Sequence, residues 1–261
     1  LKVLHDVDDL PSGLRYVLAI GTFDGVHRGH VRVLSALARA ADKSKAVPVV
    51  LTFDPHPAAT LRGKSPDLLC DPLERLELFE HMGVATAVVQ HFDSIFADQS
   101  AEMFLDRITA ERDLRALVLT SESAFGRDRS GGIQDARRLA KHYDYRVIEV
   151  GQLEVGGAPV SSTRLRALLA EGRLSQVQRL LGRRYSVVGT VVRGDQRGRV
   201  LGFPTANLHF DRDVALPMDG IYAVRVAWDA GDPPQNRHRR HGVASLGVRP
   251  TFETNGARML E

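Results

Sequence analysis

Five short apolar runs, at residues 16–20, 47–53, 85–90, 116–120 and 145–150, alternate with stretches of helical periodicity at about 29–42, 72–82, 100–110 and 132–142. An intervening helix carries the chain back across the sheet before the next strand starts, so strands in this arrangement pair in parallel. The pattern predicts an α/β domain with a Rossmann-like parallel sheet covered by helices. Two more helices are expected at 162–171 and 174–181, stopped by Gly172 and Gly182, because glycine accepts the left-handed backbone that ends a helix. Beyond Arg183 the texture changes. YSVVGTVVRG, GIYAVRVAW and HGVASLGV are strand-like runs separated by glycine, proline and charge, which predicts a second, all-β domain built as a small barrel. The segment 229–241, DAGDPPQNRHRRH, is expected to be a mobile hairpin tip. The predicted domains are 1–182 and 183–261, and a hydrophobic fraction of 43% in 261 residues suffices for two cores.

Composition narrows the function classes. Thirty-five basic residues exceed 32 acidic ones by 3, a mild excess that suits a phosphate-bearing small molecule. A single cysteine, Cys70, excludes an internal disulfide framework and any multi-cysteine zinc site. No apolar run approaches the roughly 20 residues that span a bilayer, and LKVLHDVDDLPSG carries acids where a signal peptide carries bases. A cytoplasmic location is therefore expected. Because the chain opens on Leu1, it is expected to be part of a longer product.

The densest chemistry lies in GTFDGVHRGH, residues 21–30, between the first apolar run and the first helix. In open α/β sheets ligands bind beyond the carboxyl ends of the strands. Glycines there let backbone approach a ligand, and the helix start offers unpaired N–H groups to an anion. His27 and His30 are three apart and share one helix face, so both can aim at the same phosphates. TFDPHP, residues 52–57, puts another histidine at a strand end, and SSTRLR, residues 161–166, can cap a helix whose first turn carries Arg164 and Arg166. Hydroxyls, helix amides and guanidinium together make a second phosphate site. In the second domain, RGDQRGRVLGFPTANL combines glycines and arginines before a Pro-Thr-Ala-Asn run, so that main-chain amides can cradle phosphates. Thr205 and Asn207 are two apart in an extended segment and face one way, offering two oxygen ligands to a hard cation.

Seven motifs taken in order, GTFDGVHRGH, TFDPHP, AFGRDRSG, SSTRLR, GRVLGFPTANL, DGIYAV and GVRPTF, resemble the bacterial bifunctional riboflavin kinase and FMN adenylyltransferase family, the FAD synthetases. The resemblance implies two reactions: ATP-dependent phosphorylation of riboflavin to FMN, and adenylylation of FMN to FAD with release of pyrophosphate. By motif position, Gly21, Phe23 and Asp24 would shape the ATP pocket of the adenylyltransferase. His27 and His30 would act on the α-phosphorus, and Ser162, Thr163 and Arg166 would grip the departing phosphates. His56, Pro57, Glu122 and Phe125 would lie on the flavin side. Thr120-Ser121-Glu122-Ser123 stands where the family carries a glycine-acid-phenylalanine signature. In the kinase, Gly194, Arg199, Gly202, Phe203, Pro204 and Thr205 would bind ATP, Thr205 and Asn207 would hold Mg²⁺, and Glu261 would be the base.

In the family further strands and a helix follow the position of Glu261, so the barrel is expected to lack its C-terminal part. The expected partners are ATP, riboflavin, FMN and FAD, with no nucleic acid and no membrane. A monomer or weak homo-oligomer is expected. Other readings of the same residues are a nucleotidyltransferase for another phosphorylated acceptor, and a flavin- or nucleotide-binding regulator with degraded catalysis.

Overall fold

The structure, a computed structural model, describes residues 1–193, 202, 205–228, 238–248 and 258–261. Six parallel strands, β1 (Lys2–Leu4), β2 (Arg15–Ile20), β3 (Val47–Phe53), β4 (Thr86–Gln90), β5 (Asp113–Leu119) and β6 (Arg146–Glu149), form the first sheet in the order β1-β4-β3-β2-β5-β6. Helices α1 (Arg28–Ser44), α2 (Pro57–Arg62), α3 (Pro72–His81), α4 (Ser94–Ala97), α5 (Ala101–Thr109) and α6 (Ile133–Ala140) lie between its strands. Tyr16 to Ala19 of β2 are essentially inaccessible to solvent, as expected for a strand covered on both faces.

On one face Tyr16 and Leu18 pack with Phe104, Leu105 and Ile108 of α5. On the other, Val17 and Ala19 pack with Leu34 and Leu37 of α1 and Phe79 of α3. The Tyr16 hydroxyl, pushed far up by burial, donates to the Ile108 carbonyl at 2.6 Å. The connection leaving β2 runs to β3 on one side, while the connection leaving β5 runs to β6 on the other. A crevice opens at such a divergence, outside the carboxyl ends of the two strands. The loop after β2 is Gly21–Val26 and the loop after β5 begins at Thr120.

The five expected strands are present within two or three residues of their predicted bounds. The edge strand β1 was not expected. Three residues carry too little periodicity to read, and β1 is defined by its pairing with β4. Helices α7 (Ser162–Ala170) and α8 (Leu174–Leu181) follow the sheet, and Gly182 ends α8 in the left-handed conformation.

The second sheet is antiparallel, with strands β7 (Thr190–Val192), β8 (Asn207–His209), β9 (Gly220–Trp228), β10 (His238–Gly247) and β11 (Met259–Leu260) in the order β7-β8-β11-β10-β9. Among the described residues the expected barrel is this open sheet. Of the run 185–194, the described residues 185–193 are strand at Thr190–Val192, and 238–241 of the expected hairpin tip belong to β10. The rest of that tip, 229–237, lies outside the described residues.

A third core joins the two regions. Leu165, Leu168 and Leu169 of α7 pack with Val177, Leu180 and Leu181 of α8, with Leu69 from the first region and with Ala215 from the second. Val214 bridges Leu68 in parallel, with hydrogen bonds of 2.8 and 2.9 Å on either side. Arg212 reaches Asp54, beyond the end of β3, with both terminal nitrogens at 2.5 and 2.9 Å.

Candidate active site

The β2–α1 loop turns sharply before the helix begins. Phe23, Gly25 and Val26 all have positive φ, at 49°, 78° and 37°. Gly25 is required for a further reason, since a Cβ there would lie 2.9 Å from the Leu69 side chain. His27 is the N-cap of α1, its Nδ1 accepting from the His30 amide at 3.3 Å. That bond leaves the ring proton of a neutral His27 on Nε2, so the imidazole presents an N–H donor. His30 stacks on His27 with ring centroids 3.6 Å apart, and Phe23 meets His30 edge-on at 5.2 Å. The Nδ1 of His30 is buried and has no protein partner. An orphaned buried polar atom costs stability unless a ligand satisfies it.

Burial, aided by the Arg183 guanidinium, lowers His27 to about 4. Burial also holds His30 well below the usual histidine range, with smaller contributions from His27 and Arg75. Both rings are therefore neutral at pH 7. Gly29 allows the close approach: a Cβ there would lie 3.0 Å from the His27 ring and 3.6 Å from the Val160 carbonyl. The N-termini of α1 and α7 thus stand side by side.

Asp24, 1% exposed, is the knot between them. Its Oδ1 accepts from the Leu69 amide at 2.9 Å, its Oδ2 pairs with Arg166, and its backbone carbonyl accepts from Ser162 Oγ at 2.9 Å. Burial pushes the Asp24 carboxyl up, and Arg166 and the Leu69 amide pull it back. His56 caps α2, its Nδ1 accepting from the Ala58 amide at 3.1 Å. His56 is lowered first by burial, and it lies within electrostatic reach of Asp24, Arg166 and Arg75. His27, His30, Asp24, Ser162, Arg166 and His56 are thus brought to one place from three separate segments. Gly21 opens the loop, and Thr163 stands exposed in the first turn of α7.

Two details differ from the expectation at 161–166. Arg164 does not face an anion site, because its guanidinium donates to the carbonyls of Val155, Ala158 and Pro159 and staples the turn before α7. Arg166 is engaged by Asp24 and, through Nε, by the Asp67 carbonyl at 2.7 Å.

In the second sheet Asn207 opens β8 with its side chain buried, and the exposed Thr205 precedes it. Leu260 of β11 is paired with Leu208. The next antiparallel step sets Glu261 opposite Asn207, on the same face of the sheet. Glu261 also exchanges backbone hydrogen bonds of 2.9 and 3.0 Å with Ser245 of β10. No cluster of three or more His, Cys, Asp or Glu that could hold a metal occurs among the described residues. The hydroxyl and amide oxygens of Thr205 and Asn207 are hard donors of the kind that fit Mg²⁺. Gly202 is a turn residue at φ 82°. Gly194, Arg199, Phe203 and Pro204 lie outside the described residues.

Residues 12–164 match the FAD synthetase family, and residues 181–261 match the riboflavin kinase family. The chain belongs to the bifunctional riboflavin kinase/FMN adenylyltransferase family. A member from Listeria monocytogenes is 33% identical over 96% of this chain and 78% of its own. Another from Haemophilus influenzae is 32% identical over 100% of this chain and 82% of its own. A crystal structure described as a macrolide-efflux protein from Streptococcus pneumoniae has a TM-score of 0.83 and 28% identity, and the match covers 99% of this chain and 82% of that one. Among the described residues no helix is long and apolar enough to cross a membrane.

The residues that the family resemblance assigned to the flavin side fall in different surroundings. His56 and Pro57 begin α2 beside Asp24. Glu122 is exposed and bonded to Gln152. Phe125 is 7% exposed in the α5 core, 5.6 Å from the Phe104 ring. The altered segment before it is a compact turn, with the Thr120 amide donating to Ser123 Oγ at 2.9 Å.

Two arginines absent from the sequence-based site also belong here. Arg75 of α3, 6% exposed, donates to the carbonyls of Thr22 and Phe53 at 3.0 and 3.4 Å. Arg183 donates to the carbonyls of Gly25 and Val26 at 3.0 and 3.2 Å. A signal for Arg75 exists in the sequence: it stands four residues before Phe79 on the buried stripe of α3. Arg183 follows the glycine that stops α8, and nothing in its spacing marks it.

Proposed function

We propose that this chain makes FMN from riboflavin and ATP at the Thr205–Asn207 end of its second domain, and FAD from FMN and ATP at the His27–His30 end of its first. The observation that carries the second half is the junction of the neutral His27–His30 stack with Asp24, Ser162 and Arg166 where α1 and α7 begin. Two helix N-termini pointing into one crevice suit a polyphosphate.

In the adenylylation an FMN phosphate oxygen attacks the α-phosphorus of ATP. The bond from that phosphorus to the bridging oxygen breaks, and pyrophosphate leaves with the electron pair. Such a transfer depends on position and on charge stabilisation. His27 Nε2–H, and His30 Nδ1 in the tautomer that carries its proton there, are the donors available to the developing charge. Ser162 and Thr163, with the first amides of α7, hold the leaving phosphates. Arg166 orients Asp24 and adds positive potential.

In the kinase step the terminal ribityl hydroxyl takes the γ-phosphoryl group, and Glu261 accepts its proton. Thr205 and Asn207 would hold a Mg²⁺ ion, which would supply charge neutralisation on the phosphate oxygens. The domain boundary belongs at Gly182, a cytoplasmic location goes with the reading, and the partners are the small molecules alone.

Incubation with ATP, Mg²⁺ and either riboflavin or FMN, followed by chromatography of the flavins, tests both halves. Absence of FAD from FMN overturns the adenylylation, and absence of FMN from riboflavin overturns the kinase.

A further inference from the structure

Every carbonyl oxygen from Thr22 to Val26 already has a donor. Thr22 O accepts from Arg75 at 3.0 Å and from Thr52 Oγ1 at 3.1 Å. Phe23 O accepts from the Val26 amide, and Asp24 O from Ser162. Gly25 O and Val26 O share one terminal nitrogen of Arg183. Three of these five carbonyls are therefore held by two guanidinium groups from distant parts of the chain. One comes from α3, and the other follows the glycine that ends α8. A loop that approaches a polyphosphate must turn its carbonyl oxygens away from it, because they repel an anion that the amides attract. The turn is also one that side chains rarely adopt, with Phe23 and Val26 at positive φ, so it needs an outside hold.

Among the described lysines and arginines Arg75 alone is buried, and its guanidinium donates to the carbonyls of Thr22 and Phe53. Its Nε, and that of Arg183, are buried without a partner. Arg183 has a carboxylate, Glu74, within electrostatic reach, and Ser186 anchors Glu74 in turn.

We propose that Arg75 and Arg183 are positioning residues of adenylyl transfer, a clamp that fixes the carbonyls of the 22–26 loop and so sets the His27–His30 stack. The proposal rests on the adenylyltransferase reading above. Neither arginine need touch ATP or FMN. Each does a different job: Arg75 bridges two strand ends with two nitrogens, while Arg183 serves two neighbouring carbonyls with one.

The experiment compares Arg75→Met, Arg75→Lys, Arg183→Met and Arg183→Lys with the parent protein, using FMN formation from riboflavin as the reference activity. A displaced loop costs on the order of 100-fold in rate. Each Met variant is accordingly expected to lose about that factor in kcat for FAD formation, with KM for FMN and the rate of FMN formation within about threefold of the parent. Lys restores most of the loss at 183, where one nitrogen suffices, and little at 75, where two are needed.

FAD formation within about twofold of the parent in both Met variants, or equal loss of both activities, would overturn the clamp. A second readout needs no catalysis. In substrate-free protein the ring resonances of His27 and His30 shift in both Met variants while the remaining spectrum stays folded, and unchanged resonances would overturn the proposal. A parent protein that makes no FAD would defeat the adenylyltransferase reading, and the resonances would still decide the clamp.

Discussion

The two proposed sites are held by different means. At the first, Asp24 and His27 are 1% and 5% exposed, and their surroundings are tied by side chains from β3, α3, α7 and the segment after α8. At the second, Thr205 is exposed, while Asn207, 5% exposed, is set opposite Glu261 by strand register. The neighbouring strands β9 and β10 leave Ile221 and Val243 79% and 74% exposed. Chemistry and stability are therefore coupled at the first site, where the proposed catalytic group His27 is also buried. At the second they are separable at Thr205, because an exposed side chain can be replaced without opening a cavity.

The hardest test of this contrast is His27→Ala with His30→Ala. Removing one oxyanion-type donor costs about 100- to 1,000-fold, so loss of both should abolish measurable FAD formation while FMN formation stays near the parent rate. Simultaneous loss of both activities would mean the sites are not independent. Next in size is Asp24→Ala, which strands Arg166 and the Leu69 amide. Breaking a buried pair costs about 3 kcal/mol, and a chemical-denaturation midpoint that did not move would remove Asp24 as the knot. Thr205→Ala should lower FMN formation by about 10- to 100-fold with the melting temperature nearly unchanged, because Thr205 is exposed. A large stability loss there would erase the distinction between the sites.

Acid should also separate the two regions. His27 titrates at about 4 in the folded protein and His30 well below the usual range, whereas an unfolded histidine titrates near 6.5. Between those values the unfolded chain binds protons that the folded chain refuses, so stability falls as pH drops from about 7 toward 4. The double histidine variant should flatten that slope in melts across pH, and Thr205→Ala should leave it intact. The smallest effect is expected from Arg212→Ala. Its pair with Asp54 is half exposed, and loss of such a pair costs under about 1 kcal/mol.

What the sequence disclosed follows the same division. The alternation that gave the parallel sheet is local, and so are the caps at His27, Ser161 and Gly182. The histidine pair was legible because helix geometry places residues three apart on one face. The arginines holding the 22–26 carbonyls were not, since a guanidinium that bonds backbone 53 or 158 residues away leaves no periodic mark. For Arg164 the position was read correctly and its target was not, because competition from the nearby carbonyls of the 155–159 turn is a matter of geometry. In the second sheet, β7 and β11 span three and two residues. Such short strands exist through their neighbours, beyond the reach of alternation.

The bridge between Leu68 and Val214, with Leu69 and Ala215 beside it in one core, bears on how such a chain can be inherited. The Leu69 amide holds Asp24, so a recombination event that joined a foreign second half at residue 182 would disturb the first half's own knot. Successful exchange would have to carry a segment equivalent to 212–218 suited to the recipient. The two halves should therefore pass between lineages as a pair, and a chimaera assembled at the linker should regain FAD formation only when that segment is matched to its first half.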